Sequence, residues 1–342
     1  MEVIRSQYAG ACYGVERALS MVKRAARKAR RNAASELEGA PSTAPMLAPP
    51  TAPAAAPDAA PAAPPTAPAA PATTAPPAAP APPTAATPPT APDATALYTL
   101  GPLIHNPQVV EELAQRGVQV ARSIDEVPAG VVVIRSHGVA PAVIAQARNK
   151  GLTVIDATCP HVSKTHKAAQ NLREQGYTVV VVGETGHPEV EGILAHAGSD
   201  ALVVQEPADL PPVLPSRRIG IVVQTTQSQQ TLEAITGALR CRGIEPKVMN
   251  TICFATKQRQ QAAKKLAQKV DVMLVVGGRN SGNTTRLTEI CQRVCPKTFH
   301  IEKADELDPT WFTSAKKVGI TAGASTPENQ IITVVEALES LQ

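Results

Sequence analysis

Residues 176–196 read GYTVVVVGETGHPEVEGILAH. An unbroken run of β-branched residues runs into a polar loop and then into a segment with helical spacing. A continuous apolar run of this length fits a strand covered on both faces, as in a parallel sheet. Two further stretches have the same shape: LYTLGPLIHNPQVVEELAQRG at 97–117 and VDVMLVVGGRNSGNTTRLTEI at 270–290. Each is followed by a shorter element: VQVARSIDEVP (118–128), ALVVQEPADL (201–210) and TFHIEKADEL (298–307). A third element comes next: VVVIRSHGVAPAVIAQA (131–147), IGIVVQTTQSQQTLEAI (219–235) and KVGITAGASTPENQIIT (317–333). Strands alternating with helices predict βαβ units, and the repetition predicts three of them. The expected fold class is therefore α/β, three similar domains around a pseudo-threefold axis. Their expected bounds are 1–158, 159–250 and 251–342.

Cysteines keep the same period. Cys12 (AGACYGVERAL), Cys159 (DATCPHVSKTH) and Cys253 (NTICFATKQRQ) each close a strand and open a helix. Cys12 and Cys159 are 147 residues apart, or 90 once a 57-residue low-complexity tract is set aside; Cys159 and Cys253 are 94 apart. That tract, 41–97, is almost entirely Ala, Pro and Thr and holds 19 of the chain's 33 prolines. Proline at this density supports neither helix nor ladder, so the tract is expected to be a disordered, semi-rigid insertion in the first domain, without a core.

The net charge is +4, too mild to imply nucleic acid. A local basic run, KRAARKARR at 23–31, is expected to be the solvated continuation of the first helix, on which Val15, Ala18, Leu19 and Val22 share one face. No N-terminal signal-like segment occurs, and no apolar run reaches the ~18 residues of a membrane span. The expectation is a cytoplasmic protein with no membrane or nucleic-acid partner, whose six cysteines stay reduced.

Three isolated thiols are not zinc-finger spacing, whose ligands come in close pairs. A nucleophile would leave two of them without a role. Three equivalent thiolates at helix N-termini suit an iron-sulfur cluster, and with three ligands rather than four one iron would stay open to a substrate oxygen. The bland alternative is three buried structural cysteines; Cys241, Cys291 and Cys295 are read as small apolar side chains on helices. The strand tips supply His105, Asn106, Ser136, His137, His187, Glu189, Thr225, Thr226, Ser281, Asn283 and Ser325. Neutral and cationic donors at helix starts suit a phosphate or diphosphate. Glu189, the one carboxylate among these tip residues, would donate protons near the open iron, tuned by Thr225 or His187; otherwise it is a first-turn glutamate complementing a helix dipole. His161, His166, His196 and His300 are read as turn or cap residues.

In order and spacing, AGACYGVERA, GPLIHNPQVV, RSHGV, DATCP, GHPEVEG, QTT, NTICFAT, NSGNTTRL and TAGASTP resemble the 4-hydroxy-3-methylbut-2-enyl diphosphate reductase family, known as LytB or IspH. The resemblance covers residues 1 to about 38 and 98 to about 340. It implies a trefoil around a 4Fe-4S cluster held by Cys12, Cys159 and Cys253, with the substrate hydroxyl at the open iron. It implies that His105, His137, His187, Ser281, Gly282, Asn283 and Ser325 hold the diphosphate, and that Glu189 with Thr225 delivers protons. The implied reaction is reductive dehydroxylation to isopentenyl and dimethylallyl diphosphates, the last step of the non-mevalonate pathway. A ferredoxin or flavodoxin-type protein would supply the electrons to a monomer or homodimer. Gly282 departs from the family, many members of which carry serine there; a backbone amide would take over the lost hydroxyl's contact. Two other classes remain open on the residues alone: an aconitase-type hydro-lyase, and a non-enzymatic iron-sulfur sensor.

Overall fold

The computed structural model describes residues 1–38 and 96–341, with side chains of 32–38 left aside. The expected insertion 41–97 lies outside the described residues except at its end. There the expectation is corrected: Leu97 is buried and opens a strand, because its side chain packs into the first core.

Among the described residues twelve strands form three four-stranded parallel sheets. The first holds β2 (Leu97–Leu100), β3 (Val118–Ala121), β4 (Val131–Ile134) and β5 (Thr153–Asp156) in the order β3-β2-β4-β5. The second holds β6 (Thr178–Val182), β7 (Leu202–Val204), β8 (Ile219–Val223) and β9 (Lys247–Met249) in the order β7-β6-β8-β9. The third holds β10 (Val272–Val276), β11 (Thr298–Ile301), β12 (Lys317–Ala322) and, at its edge, β1 (Glu2–Arg5). Central strands such as TVVVV and VMLVV are buried throughout, as their unbroken apolar runs require. The edge strands β1 and β5 share a half-exposed pattern, with polar residues at both ends.

Helices cover both faces of every sheet: α1 (Tyr13–Glu38), α2 (Pro107–Gln115) and α3 (Pro141–Asn149); α4 (Pro160–Glu174), α5 (Pro188–Ala197) and α6 (Gln229–Cys241); α7 (Phe254–Ala267), α8 (Gly282–Gln292) and α9 (Glu328–Glu339). Each sheet consequently has two cores, such as Val180, Ile221 and Ile235 on one side of the second sheet and Val179, Val181 and Leu172 on the other. Proline opens α2, α3, α4 and α5 at their first positions, where its fixed φ fits and its missing N–H costs nothing.

One expected boundary is corrected. Residues 1–158 do not share a sheet, because β1 pairs with β12, from Glu2 opposite Lys317 to Arg5 opposite Ile320. Its backbone completes the third sheet's open edge, whereas Val15, Ala18 and Val22 of α1 pack on Leu97 and Val133 of the first. The chain therefore crosses from third unit to first between β1 and α1. It makes the same move between β5 and α4 and between β9 and α7, and each crossing carries a thiol: Cys12, Cys159 and Cys253.

The basic run 23–31 lies within α1; Lys23 reaches Glu112 at 3.3 Å, and Arg24, Arg27, Lys28, Arg30 and Arg31 are exposed.

Candidate functional site at the centre of the trefoil

The three thiol residues are placed by the same two hydrogen bonds. The N–H groups of Cys12, Cys159 and Cys253 donate to the carbonyls of Ala324, Ser136 and Thr225 at 3.1, 2.9 and 3.0 Å, each at the tip of another unit's strand or its own preceding one. Their carbonyls accept the first helical bonds, from Glu16, Ser163 and Lys257 at 2.9, 3.0 and 3.1 Å. Each thiol thus starts a helix, where free N–H groups favour negative charge. The Cys159 and Cys253 side chains make no capping bond, which leaves the sulfurs free for a ligand.

Carboxyl ends of parallel strands are where such folds bind ligands. Here the tips of all three sheets meet at one central cavity lined by the thiols and by His105, His137, His187, Glu189, Thr225, Thr226, Ser281, Gly282, Asn283 and Ser325. Of the strand-tip residues named from the sequence, all but Asn106 line this cavity. A larger groove, about 740 Å³ between α6, α7 and α8, contains no thiol.

Three imidazoles cluster at one wall. Ring centroids of His105 and His137 are 4.3 Å apart, those of His105 and His187 5.1 Å, and those of His137 and His187 5.6 Å. His187 caps α5: its Nδ1 accepts from the Glu189 N–H at 3.0 Å, so the neutral ring carries its proton on Nε2. Burial pushes His105 down to about 4, helped by His187 and Arg135. Burial, then Arg135, brings His187 to about 4 as well, and His137 falls well below its ordinary value for the same reasons. Several buried polar atoms here lack protein partners: His105 Nε2, His137 Nδ1, Arg135 Nε and both amide atoms of Asn283. Buried polar groups are normally satisfied, so this concentration of orphans marks a ligand position. Ser281 caps α8 by accepting from Thr284 N–H.

Glu189 is 2% exposed. Its Oε1 accepts from the Thr225 N–H at 2.6 Å, and its Oε2 shares a 3.0 Å hydrogen bond with the Thr225 hydroxyl. Burial raises its carboxyl to about 7 against the lowering effect of those two bonds, with Glu184 adding a smaller push upward. A carboxyl that titrates near neutrality inside a ligand cavity is suited to acid catalysis.

The thiol end fits an anionic cluster. A Cβ at Gly14 would stand 2.5 Å from Cys159 Sγ and 3.9 Å from Cys12 Sγ, so only glycine keeps this cradle open. Burial raises the Cys159 thiol, partly offset by the His161 and Val162 N–H groups, while Cys12 and Cys253 raise it further. Arg259, 4% exposed, donates to the carbonyls of Tyr8 (3.0 Å) and Gly10 (2.8 Å), and burial lowers it while Cys12 and Cys253 pull it back up. A buried cation beside thiols offsets the negative charge that thiolates would gather. Among the described residues no three His, Cys, Asp or Glu side chains form a group that could hold a single metal ion.

Several placements differ from the sequence reading. His161, read as a turn residue, lines the cavity two positions after Cys159. Asn106 does not: it caps α2 through Val109 N–H and donates to Ser325 O and Gln330 Oε1, holding the first unit to the third. Arg259 was missed, although its place two turns after Cys253 on the inward face of α7 was a usable signal. No local signal existed for Glu184. Its carboxylate pairs with Arg286 at 2.9 Å and occupies the space a Gly282 side chain would need, 2.7 Å from that Cβ, so the missing serine admits a contact between the second and third units. Cys241 ends α6, exposed, and Cys291 is on α8 as read, whereas Cys295 follows that helix; Cys291 and Cys295 are both buried in the third unit's core.

Comparison with known proteins agrees with this architecture. The family model described as LytB protein matches residues 85–339. The 4-hydroxy-3-methylbut-2-enyl diphosphate reductase of Pelobacter propionicus is 49% identical over 231 residues, covering 68% of this chain and 82% of that one. The enzyme of the same name from Aquifex aeolicus is 48% identical over 235 residues, 68% and 81% of the two chains. A solved structure of (E)-4-hydroxy-3-methyl-but-2-enyl diphosphate reductase, the terminal enzyme of the non-mevalonate pathway, superposes with a TM-score of 0.59 at 36% identity, covering 99% of this chain and 100% of that one. With its three-sheet trefoil, its thiol-bearing crossings and this similarity along most of its length, the chain belongs to the LytB protein family.

Proposed function

We propose that the chain is a 4-hydroxy-3-methylbut-2-enyl diphosphate reductase. It removes the allylic hydroxyl as water, taking up two electrons and two protons, and releases isopentenyl and dimethylallyl diphosphates. The observation that carries this reading is the placement of a buried carboxyl titrating near neutrality, orphaned anion-binding groups and three free thiols around one cavity. When bound, a 4Fe-4S cluster held by Cys12, Cys159 and Cys253 would supply the electrons and the Lewis acidity that loosens the C–O bond.

The rest is work for the chain's own groups. His105, His137, His187, Ser281 and Asn283 converge from the first, second and third units, with Ser325 beside them, so the diphosphate is gripped from several sides and the allylic end is fixed relative to the thiols. The α8 N-terminus, with Gly282 at its first position, adds backbone N–H groups toward the anion. Glu189 holds a proton in the cavity, and Thr225 fixes its orientation through both of its oxygens. Across the 3.0 Å contact between Oε2 and Thr225 Oγ1 the protonated carboxyl can donate to the hydroxyl oxygen, so the hydroxyl can give its own proton toward the substrate and take the carboxyl's in return.

The direct test measures iron, sulfide and substrate-dependent oxidation of a reduced viologen on one anaerobic sample. Turnover should appear only with the hydroxylated allylic diphosphate; an iron-loaded sample without turnover would refute the assignment.

A second expectation follows from the histidines. With His105 and His187 near 4 they are neutral in the empty site at pH 6.5, and a polyanion beside them pulls their affinity for protons upward. Binding of inorganic diphosphate should therefore take up about one proton more in the wild type than in His105→Asn. Calorimetry in two buffers of different ionisation enthalpy reads this difference directly, and equal uptake by both proteins would show that the rings stay neutral.

A further inference from the structure

The first turns of α1, α4 and α7 repeat an outward pattern as well as an inward one. Residues two and three positions after each thiol line the cavity: Gly14 and Val15, His161 and Val162, Ala255 and Thr256. The residue directly after each thiol faces solvent. Tyr13 is 68% exposed, Phe254 is 67% exposed, and Pro160 is exposed between their helices' equivalents. One turn further on the same outward faces are Arg17, Lys164 and Lys257. Arg17 Nη1 donates to Thr158 O, next to Cys159, which ties the first of these turns to the second.

Two properties set this surface apart. Among the described residues the exposed large aromatic side chains are Tyr8, Tyr13 and Phe254, all within a few residues of a thiol; Tyr8 Oη also accepts from Gln258 Nε2 at 3.2 Å, and Tyr8 and Phe254 share a groove. Positive charge predominates along the same helices, Glu16 being the one carboxylate in their first turns. The three thiol-headed helices contain 14 Lys and Arg against 4 Asp and Glu, in a chain whose totals are 33 and 29, so the remainder is net acidic. Among the described residues, Lys23 is the one cation of these helices that pairs with a carboxylate.

We propose that Tyr13, Pro160 and Phe254, with Arg17, Lys164 and Lys257 around them, form the docking surface for a one-electron donor protein with an acidic face. The inference rests on the reductase reading, which requires two electrons from outside the substrate. Each docked donor is oxidised by one electron, and two successive dockings complete a turnover. The surface brings the donor within one residue of the thiols while leaving the substrate side of the cavity free. Opposite charge speeds such an encounter, and exposed aromatics give it a desolvated centre. Redox encounters use small interfaces, which three first turns suffice to supply. A nucleic acid could use both the charge and the aromatics, but it supplies no electrons at the thiol end of the cavity.

The test compares two reductants on the anaerobic holoenzyme: reduced methyl viologen, and a reduced acidic ferredoxin. In Lys164→Glu/Lys257→Glu the KM for ferredoxin should rise about tenfold or more and lose most of its salt dependence, while viologen-driven kcat and substrate KM stay unchanged. Lys164→Arg/Lys257→Arg should restore the wild-type KM. An unshifted ferredoxin KM in a dye-active enzyme would overturn the surface alone, as would an equal loss with both reductants. Protection of the surface by DNA but not by ferredoxin would overturn the choice of partner. A wild-type holoenzyme inert with both reductants would overturn the reductase reading and the surface with it.

Discussion

Glu189→Gln is expected to lower kcat by about 10³-fold, about 4 kcal/mol in activation free energy, with iron content and substrate KM nearly unchanged. Glutamine keeps the shape and both contacts to Thr225, accepting from its N–H and donating to its hydroxyl, but carries no transferable proton. The pH dependence has a definite sign. A carboxyl raised to about 7 by burial is protonated below that value, so the wild-type kcat should be flat at low pH and fall as pH rises through about 7. That descending limb should be absent in Glu189→Gln. A variant with near-wild-type kcat would remove Glu189 from proton delivery and return it to the role of a first-turn residue on α5.

Cys159→Ala is expected to abolish turnover and to lose most of the bound iron and sulfide, while the apo-protein unfolds within about 1 kcal/mol of the wild type. The small stability change follows from the thiol's place: it heads α4 without a capping bond, and Pro160 begins the helix in any case. Cys291→Ser should do the opposite. Its side chain is fully buried in the third unit's core, and a hydroxyl there would cost about 1–3 kcal/mol while iron content stays normal. The pair of variants separates ligand thiols from structural ones; full iron retention in Cys159→Ala would refute the assigned ligand set.

The parallel sheets and the threefold arrangement were legible because apolar runs such as TVVVV and VMLVV can be buried only between two layers, and because the strand, tip and helix pattern recurs with its thiol. Site residues were legible for a related reason. They are at strand tips, and topology brings all strand tips of such a fold to one end. What escaped were relations between distant segments. EVIR at 2–5 is a plausible strand but carries nothing that names β12 as its neighbour. Gly282 could be recognised as unusual, yet only the structure shows Glu184 in the vacated space, brought there by the packing of two units. Arg259 was hidden by its own charge: a lone arginine in a basic helix reads as surface until its guanidinium is seen closing on the carbonyls of Tyr8 and Gly10.

The pairing of β1 with β12 has a consequence for how the molecule is made. The third sheet borrows its edge from a segment more than 300 residues earlier, so among the described strands β1 waits longest for its partner. Until β12 arrives, Cys12 is anchored on one side only, by α1 on the first unit. A nascent chain could therefore assemble the first and second sheets in turn, but the thiol trio closes only once β12 has been made. Cluster insertion would then have to follow β12, and the ring of three units would be locked by the pairing of β1.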